Sequence, residues 1–350
     1  MRDSVPEFRL RRRALLAGSV ALAAPALLST RARAAEDRVV LATWGGDYAR
    51  LLRENIDTPL LAPKGVKVVQ TIDDEPPRIA QMIAQRMLPR GTFDVASLEA
   101  AYAYRLKDMN LLETLDESKI PNLKYVHPNL RTNFFVPHIY SPQVLIYDPK
   151  QVTAPTNFGD LLGPKYKGKV GFPTNNNFYV AMAASLYASG NVTDIEKAKA
   201  LLIKLNQNGL RLYPETDSIA AAFKSKEINS GVMWLARVVM WQNAGISVAA
   251  SFPKEGSVLY VSGFVVPKNA VNKQGAYQFL NAMLEPSAQQ GFAAHMGYLP
   301  TVTNAPLSGK VAEQLALPNP APRLVSPDYA YDAKETAPFN SWWQSKIQQG

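Results

Sequence analysis

Few residues in this sequence have the types and the spacing that catalysis on a phosphate group requires. Residues 163–170 nearly match the phosphate-binding pattern G-x-x-x-x-G-K-[ST], but the final residue is Val170, which has no hydroxyl group to hold magnesium. The segment also precedes a predicted strand, whereas a phosphate loop follows one. We therefore interpret residues 163–170 as a lysine-rich surface turn.

The histidines and the lack of cysteine argue against metal and nucleophile chemistry. His127, His138 and His295 are far apart in the chain, and no metal-ligating spacing such as H-E-x-x-H occurs. A chain without cysteine has no thiolate zinc site, iron–sulfur cluster or cysteine nucleophile. The patterns G-x-S-x-G and G-x-G-x-x-G are also absent. We predict that the protein is not an enzyme and uses no metal and no cofactor.

The first 35 residues have the features of an export signal. Three arginines, Arg11 to Arg13, precede an apolar run that ends at Leu28, and Ala32 and Ala34 are the small residues that a signal peptidase recognises. We predict that residues 1–34 are a twin-arginine signal peptide, cleaved near Ala34, and that the mature protein is periplasmic. A general-secretion signal and a retained anchor helix are the alternatives.

The net charge argues against nucleic acid as a partner. The whole chain has a net charge of +9, but residues 1–34 carry seven of the basic residues and two of the acidic ones, so about +4 remains after them. The remaining lysines are scattered, whereas a nucleic-acid site concentrates basic residues on one face with aromatic residues for stacking. We predict no nucleic-acid partner.

Strands and helices alternate at short spacing through the chain. Residues 38–44, 66–69 and 93–96 are predicted strands, and Pro76 and Pro77 open a helix. Further strands are predicted at 169–172, 231–234 and 247–250, and Thr193 with Glu196 predicts a capping box for another helix. Asn272 is predicted to cap a helix that Pro286 ends. This order is typical of α/β proteins with parallel sheets that are covered on both faces.

Two extended segments, residues 136–147 and 256–266, predict crossings between two α/β lobes. We place lobe 1 at 37–140 and 262–310 and lobe 2 at 141–261. Residues 311–350 are a C-terminal segment that we expect to pack on the lobes through Trp342 and Trp343. A cleft between two domains is a preferred site for a small ligand, and hinge closure around a ligand suits this organisation.

Several stretches, taken in order, resemble the bacterial extracellular solute-binding proteins of the spermidine/putrescine-binding type. They are Thr43-Trp44-Gly45-Gly46-Asp47-Tyr48, Thr92-Phe93-Asp94-Val95, residues 157–168, Gly231-Val232-Met233-Trp234, Phe252-Pro253-Lys254-Glu255-Gly256, residues 272–286 and Met296-Gly297-Tyr298-Leu299-Pro300-Thr301. The resemblance covers most of residues 38–305. It implies a type II periplasmic-binding-protein fold, a small-molecule ligand, and an ABC transporter permease with its ATPase as partners. We expect a monomer that reaches the membrane only through the permease.

The resemblance also implies a set of ligand-binding residues. In this family aromatic side chains line the cleft and carboxylates hold ligand amines. Glu99 and Tyr102 follow the third strand at the carboxyl edge of the sheet, where open α/β sheets bind ligands. The predicted residues are Trp44, Asp47, Tyr48, Glu99, Tyr102, Asn175, Asn176, Asn177, Phe178, Trp234, Arg237, Tyr260 and Ser262.

The sequence departs from polyamine-binding members at two places. Where those proteins have acidic residues, this chain has the neutral stretch 174–178 and Ser262. A buried dication without charge partners is costly, so simple spermidine is not expected. Arg237 could meet a ligand carboxylate. We predict a small polar, amine-containing solute that is polyamine-like or similar to an amino acid or an opine.

Two alternatives belong to other functional classes. An exported enzyme could place catalytic carboxylates, such as Asp47 and Glu99, across the cleft, because fold alone does not settle function. A metal-ion-binding protein of related fold is the other alternative. An enzyme would turn its ligand over, whereas a binding protein returns it unchanged.

Overall fold

The computed structural model describes residues 38–349, and the predicted signal peptide at 1–34 lies outside them. The strands in the described part are β1 (Arg38–Thr43), β2 (Lys67–Ile72), β3 (Val95–Glu99), β4 (Val136–Tyr147), β5 (Val170–Pro173), β6 (Arg211–Tyr213), β7 (Ser230–Trp234), β8 (Ala249–Ser251), β9 (Ser257–Val265), β10 (Leu299–Pro300) and β11 (Leu324–Val325). The strands β1 to β5 and β7 to β9 agree with the segments predicted from the sequence, whereas the short strands β6, β10 and β11 were not predicted.

The α-helices cover both halves of the sheet. They are α1 (Gly46–Leu52), α2 (Glu75–Ala84), α3 (Ala100–Asp108), α4 (Asn177–Ser189), α5 (Ile195–Gln207), α6 (Thr216–Lys224), α7 (Leu235–Asn243), α8 (Lys273–Met283), α9 (Pro286–Met296), α10 (Gly309–Leu315) and α11 (Tyr329–Trp343). The π-helical turns Arg53–Leu61 and Gln344–Gln348 continue α1 and α11. Short 3₁₀ turns lie at Ala62–Lys64, Pro121–Tyr125, Pro128–Leu130, Phe158–Leu162, Pro164–Tyr166 and Thr174–Asn176.

Two groups of parallel strands lie at opposite ends of the sheet. The strand order is β2-β1-β3-β9-β4-β7-β5-β6. At one end β1 pairs in parallel with β2 and β3, and at the other end β5 pairs in parallel with β6 and β7. The strands between the two groups, β9 and β4, are antiparallel to their neighbours. The sheet therefore has two α/β halves that two antiparallel strands join.

The long strand β4 passes from one half of the sheet into the other. Its first part pairs with β9, with Tyr140 opposite Val261, and its last part pairs with β7, with Gln143 opposite Trp234. β9 returns to the first half, where Ser262 lies opposite Glu99 of β3. The prediction of two α/β lobes joined by extended crossings is confirmed.

Two clusters of buried apolar residues form the core. One cluster includes Leu41 of β1 and Phe264 of β9, and it extends along β4 to α7. The other cluster lies under α4 and α5 and includes Phe172, Phe178 and Trp343. Trp343 brings the end of α11 into the second core, so the C-terminal segment is packed against the body of the protein.

The helix caps agree with the sequence at Asn272 and differ at Thr193. The Asn272 side chain accepts a hydrogen bond from the backbone N–H of Gly275, as a helix N-cap should. The predicted capping box at Thr193 is wrong, because Asp194 is the N-cap of α5 and accepts from the N–H of Lys197. Adjacent polar residues compete for the cap, and the sequence pattern does not decide between them.

Candidate functional site

A cleft of about 400 Å³ lies where α11 crosses the carboxyl ends of β3 and β5. Strands of both halves of the sheet end at this cleft, in agreement with the rule that open α/β sheets bind ligands at the carboxyl edge. The residues that line the cleft are Glu75, Pro76, Glu99, Ala101, Tyr102, Arg105, Asn175, Asn176, Asn177, Phe178, Tyr179, Met182, Asp332, Ala333, Thr336, Ala337 and Asn340.

Two carboxylates, Glu75 and Glu99, meet on one wall of the cleft. Glu75 is the first residue of α2, and Glu99 is the last residue of β3. The Glu75 carboxylate accepts a hydrogen bond from the backbone N–H of Glu99, with an Oε1···N distance of 2.6 Å. Burial raises the pKa of both carboxyl groups, and the charge of Glu99 raises the pKa of Glu75 further. A cation beside this pair would favour its ionised form.

The buried cation next to this wall, Arg78, is already held by other groups. Its guanidinium lies 2.9 Å from the Asp73 carboxylate and donates to the backbone carbonyl and hydroxyl of Ser97. It also lies over the ring of Trp44, at 5.3 Å from the centroid. The charge of Arg78 lowers the pKa of Glu75, but burial and Glu99 outweigh it. Arg78 therefore fastens α2 to β3, and the cleft carboxylates have no ion-pair partner within residues 38–349.

Aromatic rings form the floor beneath the carboxylates. Tyr179 lines the cleft and packs edge-on against Trp234, with ring centroids 4.8 Å apart. The ring centroid of Tyr260 lies 5.3 Å from that of Trp234 and 6.2 Å from that of Tyr298. Burial raises the pKa of Tyr179 and Tyr260 well above the ordinary value, so both stay neutral. Neutral aromatic faces attract ammonium groups.

The third wall belongs to α11. Asp332, Thr336 and Asn340 follow one another at intervals of four, which places them on one face of the helix. Asp332 is buried, and burial followed by the charge of Asp328 raises its pKa to about 7. Arg105 lies at the exposed rim, 5.9 Å from the ring of Tyr102.

This arrangement is suited to a positively charged organic group. Three carboxylates that have no cationic partner in the described part of the chain line a space with aromatic side chains, and ammonium groups bind favourably to both kinds of neighbour. In the part of the chain that the structure describes, no group of three or more His, Cys, Asp or Glu residues could hold a metal ion. The geometry indicates a site for a small amine.

Comparison with known proteins identifies the family and agrees with the fold. The sequence model of the family described as "Bacterial extracellular solute-binding protein" matches residues 64–319. The chain belongs to this family. The spermidine/putrescine-binding periplasmic protein of Escherichia coli (strain K12) is 26% identical over 279 residues, which cover 74% of this chain and 78% of that protein.

Two solved structures have the same fold as this solute-binding protein. An ABC transporter substrate-binding protein from Bradyrhizobium japonicum USDA 110 has a TM-score of 0.76 and 21% identity, covering 89% of this chain and 99% of that one. A GABA receptor has a TM-score of 0.76 and 23% identity, covering 87% of this chain and 96% of that one. The protein therefore has the type II periplasmic-binding-protein fold that the sequence predicts.

The solute-binding protein brings six of the predicted site residues to its cleft. These are Glu99, Tyr102, Asn175, Asn176, Asn177 and Phe178. The asparagines follow β5 directly, and Glu99 ends β3, so the carboxyl-edge rule correctly locates both groups. Their contact with a ligand stays a prediction.

The predicted residues near α1 lie outside the lining of the cleft. Asp47 is exposed and forms an ion pair with Arg50 at 3.0 Å. Tyr48 is buried, and its hydroxyl lies 2.8 Å from Nδ1 of His138. Burial lowers the pKa of His138 to about 3, so the ring is neutral and can accept this hydrogen bond. Trp44 packs on the guanidinium of Arg78. Of the three, Trp44 contacts the helix that carries Glu75, through Arg78.

The predicted residues on β7, α7 and β9 lie behind the lining. Trp234 and Tyr260 pack against Tyr179, with ring-centroid distances of 4.8 Å and 6.3 Å. Ser262 is completely buried on β9. Arg237 is half-buried, with its guanidinium 3.7 Å from the sulfur of Met240. The structure therefore does not assign these four residues to the surface of the cleft.

The sequence analysis missed Glu75 and the α11 residues. Glu75 follows β2 at the carboxyl edge and precedes Pro76, so the rule that located Glu99 could also have located it. No comparable signal exists for Asp332, because the packing of a C-terminal helix depends on tertiary contacts. The neutral positions at 174–178 and 262 do not make the cleft neutral, since its negative charge comes from other elements. Glu75, Glu99 and Asp332 add acidic side chains that the argument against simple spermidine did not include, and that expectation stays a prediction.

Proposed function

We propose that this chain is the periplasmic solute-binding component of an ABC importer and that it captures a small amine in the cleft. The observation that carries the proposal is the set of three carboxylates, Glu75, Glu99 and Asp332, which line one space without an ion-pair partner among the described residues. A buried carboxylate is stabilised when a cation comes to it. An incoming ammonium group supplies that cation.

The relatives support a ligand of this chemistry. The protein from Escherichia coli is a spermidine/putrescine-binding protein, and one similar structure is a GABA receptor. Both kinds of ligand carry an amine that an acidic, aromatic cleft can hold. A polyamine-like ligand and a ligand similar to an amino acid or an opine remain within the proposal.

The transport partners and the location follow from the family. A permease and its ATPase would accept the closed, loaded form, and the binding protein itself would stay monomeric. We place it in the periplasm, after export by the twin-arginine signal at 1–34 and cleavage near Ala34. No described helix is both long enough and apolar enough to cross a membrane. We place contact with the membrane at the permease, as the family's transport role implies.

We further propose that the cleft does no chemistry on its ligand. Carboxyl groups with a raised pKa also occur in enzymes, where they act as general acids or bases. The enzymatic alternative paired Glu99 with Asp47, but Asp47 is exposed and bound to Arg50. A solute recovered unchanged after binding would distinguish the two functions.

The test combines identification of the solute with a matched pair of variants. Mass spectrometry of the protein purified from its native compartment should find a small amine, and that amine should raise the melting temperature. At a concentration of 100 Kd the ligand stabilises the folded state by about 2.7 kcal/mol. Glu99→Gln should weaken binding by roughly ten- to a hundredfold, the effect of one hydrogen bond to a charged group.

Asp57→Asn is the control for this variant. Asp57 is half-buried outside the cleft, accepts a hydrogen bond from Gln70 at 2.8 Å, and has a pKa that burial raises to about 6. This variant should keep wild-type affinity. Conversion of the solute by the wild-type protein, or equal losses of affinity in both variants, would contradict the proposal.

A further inference from the structure

The loop that follows α2, residues 85–91, exposes two large apolar side chains to solvent. Met87 is 84% exposed, which is the highest value for any large apolar side chain in the described part of the chain, and Leu88 is 52% exposed. Met109, which directly follows α3, is exposed as well. Exposed apolar side chains that cluster on a protein surface indicate an interaction site.

Hydrogen bonds fix this loop against the body of the protein. The Asn269 side chain donates to the backbone carbonyl of Gln85 at 2.9 Å, and the backbone carbonyl of Asn269 accepts from the N–H of Gly91 at 2.7 Å. The Gln85 side chain in turn accepts from the backbone N–H of Thr92 at 3.0 Å. Because the loop is already ordered, a partner that docks on it has little further conformational entropy to remove.

A small pocket of about 70 Å³ lies beside the loop. Its apolar lining comes from Met82, Leu111 and Pro267, and the exposed residues Arg86 and Lys268 also line it. The pocket has room for several atoms of a partner's side chain. A protein surface can match a pocket and a neighbouring protrusion in shape, whereas a lipid surface has no fixed shape. The geometry therefore favours a protein partner over a membrane.

The charge around the apolar side chains is positive. Arg86, Arg90 and Lys268 are exposed, and none of them pairs with a carboxylate within residues 38–349. The carboxylates in the neighbouring segment 108–113 are each paired with a lysine. Unpaired basic groups around an apolar centre complement a partner that carries carboxylates around an apolar side chain.

This surface lies away from the cleft. α2 begins at Glu75 in the cleft wall and ends at Ala84, which places its two ends about 15 Å apart. Lys268 follows β9, and β9 is antiparallel to β3, so it ends beside the start of β3 and not beside Glu99. A partner at this surface would leave the cleft open to the solute.

We propose that the loop 85–91 and the pocket beside it form a docking surface for the permease, which contacts it through an acidic segment with an apolar side chain. Met87 and Leu88 supply the apolar contact, and the basic groups around them supply the charge. This inference rests on the proposed function, because it names the surface that meets the proposed transport partner. Since the docking surface and the cleft are separate, docking and solute affinity should respond to different substitutions.

Stimulation of the transporter's ATPase by the solute-loaded protein tests the inference. The permease and ATPase of the same transporter are placed in nanodiscs of phosphatidylethanolamine and phosphatidylglycerol, and the concentration of binding protein that gives half-maximal ATPase activity is measured. Met87→Ser and Leu88→Ser should each raise this concentration by about tenfold, because each removes an apolar contact. Calorimetry should show that both variants keep the wild-type affinity for the solute that co-purifies with the protein.

Arg90→Gln tests the charge of the docking surface. It should raise the half-maximal concentration by about threefold at low salt. It should also weaken the dependence on salt, because salt screens exposed charges. Ile203→Ser and Lys204→Gln are the matched controls, since both side chains are exposed on α5 in the other half of the protein. Both controls should stimulate the ATPase as the wild-type protein does.

Unchanged half-maximal concentrations in Met87→Ser and Leu88→Ser would overturn the inference, and so would equal increases in the two controls. Wild-type binding to nanodiscs of lipid alone, lost in Leu88→Ser, would overturn it in favour of a membrane surface. If the loaded wild-type protein gives no stimulation, the permease is the wrong partner, although the protein still binds a solute. If the wild-type protein binds no solute, the proposed function itself fails and the inference fails with it.

Discussion

Replacing Asp332 by asparagine should stabilise the ligand-free protein, and the gain should increase with pH. The folded protein raises the pKa of this carboxyl group from 3.8 to about 7, because the side chain is buried and lies near Asp328. A group with a raised folded pKa contributes full stability below its unfolded pKa and loses that contribution as the pH rises through the folded pKa. Asparagine carries no charge at any pH, so it does not show this loss.

The size of the effect follows from the two pKa values of Asp332. The rise from 3.8 to about 7 corresponds to about 4 kcal/mol between the acidic and alkaline limits, at 1.36 kcal/mol for each pH unit. Between pH 5 and pH 8 the linkage relation gives about 2.5 kcal/mol. Water that enters the open cleft would reduce this figure, so we expect a change of about 1–2.5 kcal/mol.

Urea unfolding of ligand-free protein at pH 5, 6, 7 and 8 measures this change. The difference in free energy of unfolding between Asp332→Asn and wild type should grow with pH, whereas Glu335→Gln should keep a constant difference, because Glu335 pairs with Lys334 and does not line the cleft. A constant difference for Asp332→Asn would mean that the carboxyl group is not buried as described. A variant less stable than wild type at pH 8 would refute the view that Asp332 strains the empty protein.

Two further predictions concern the bound state. The affinity for an amine should rise from pH 6 through pH 8 and level off only above the pKa of Glu75, which burial and the charge of Glu99 raise to about 8, because Glu75, Glu99 and Asp332 are partly protonated at the lower pH. Titrations in buffers of different ionisation enthalpy should show proton release on binding, and an affinity independent of pH would contradict this. Trp234→Ala should abolish the ligand-induced rise in melting temperature, because the Trp234 ring packs against Tyr179 at the cleft. The control Trp241→Ala removes a buried ring that packs on Phe223 away from the cleft, so it should destabilise the fold but keep the ligand-induced rise.

The crossings between the two halves could be predicted because β4 and β9 have a distinctive local pattern. Each is a long apolar run without helical periodicity, and Pro137 and Pro142 exclude a helix across β4. The carboxyl-edge rule located Glu99 and the asparagines for a similar reason, because strand ends can be read from the sequence. These features depend on residues that are neighbours in the chain.

The position of α11 depends on contacts that no local pattern records. Pro338 lies inside the helix, where proline is unfavourable, and this weakened any prediction of one continuous helix over residues 329–343. The burial of Phe339 and Trp343 in the second core holds the helix across the cleft despite this cost. The predicted contacts of Asp47 and Tyr48 came from family resemblance alone, and the ion pair with Arg50 and the hydrogen bond to His138 direct these side chains elsewhere.

The placement of Arg78 explains why the carboxyl groups of the cleft have no cation paired with them among the described residues. A buried guanidinium near Glu75 would normally pair with that carboxylate and remove the attraction for an external amine. Here Asp73, Ser97 and the ring of Trp44 hold the guanidinium on the far side of the wall. Because Arg78 is engaged, the empty cleft holds carboxyl groups whose ionisation is unfavourable, and the proposed solute amine would stabilise their ionised form. If the proposed amine binds there, the unfavourable free energy of ionising these carboxyl groups in the empty protein would be recovered in the complex, so affinity for the amine and instability of the ligand-free protein would be coupled.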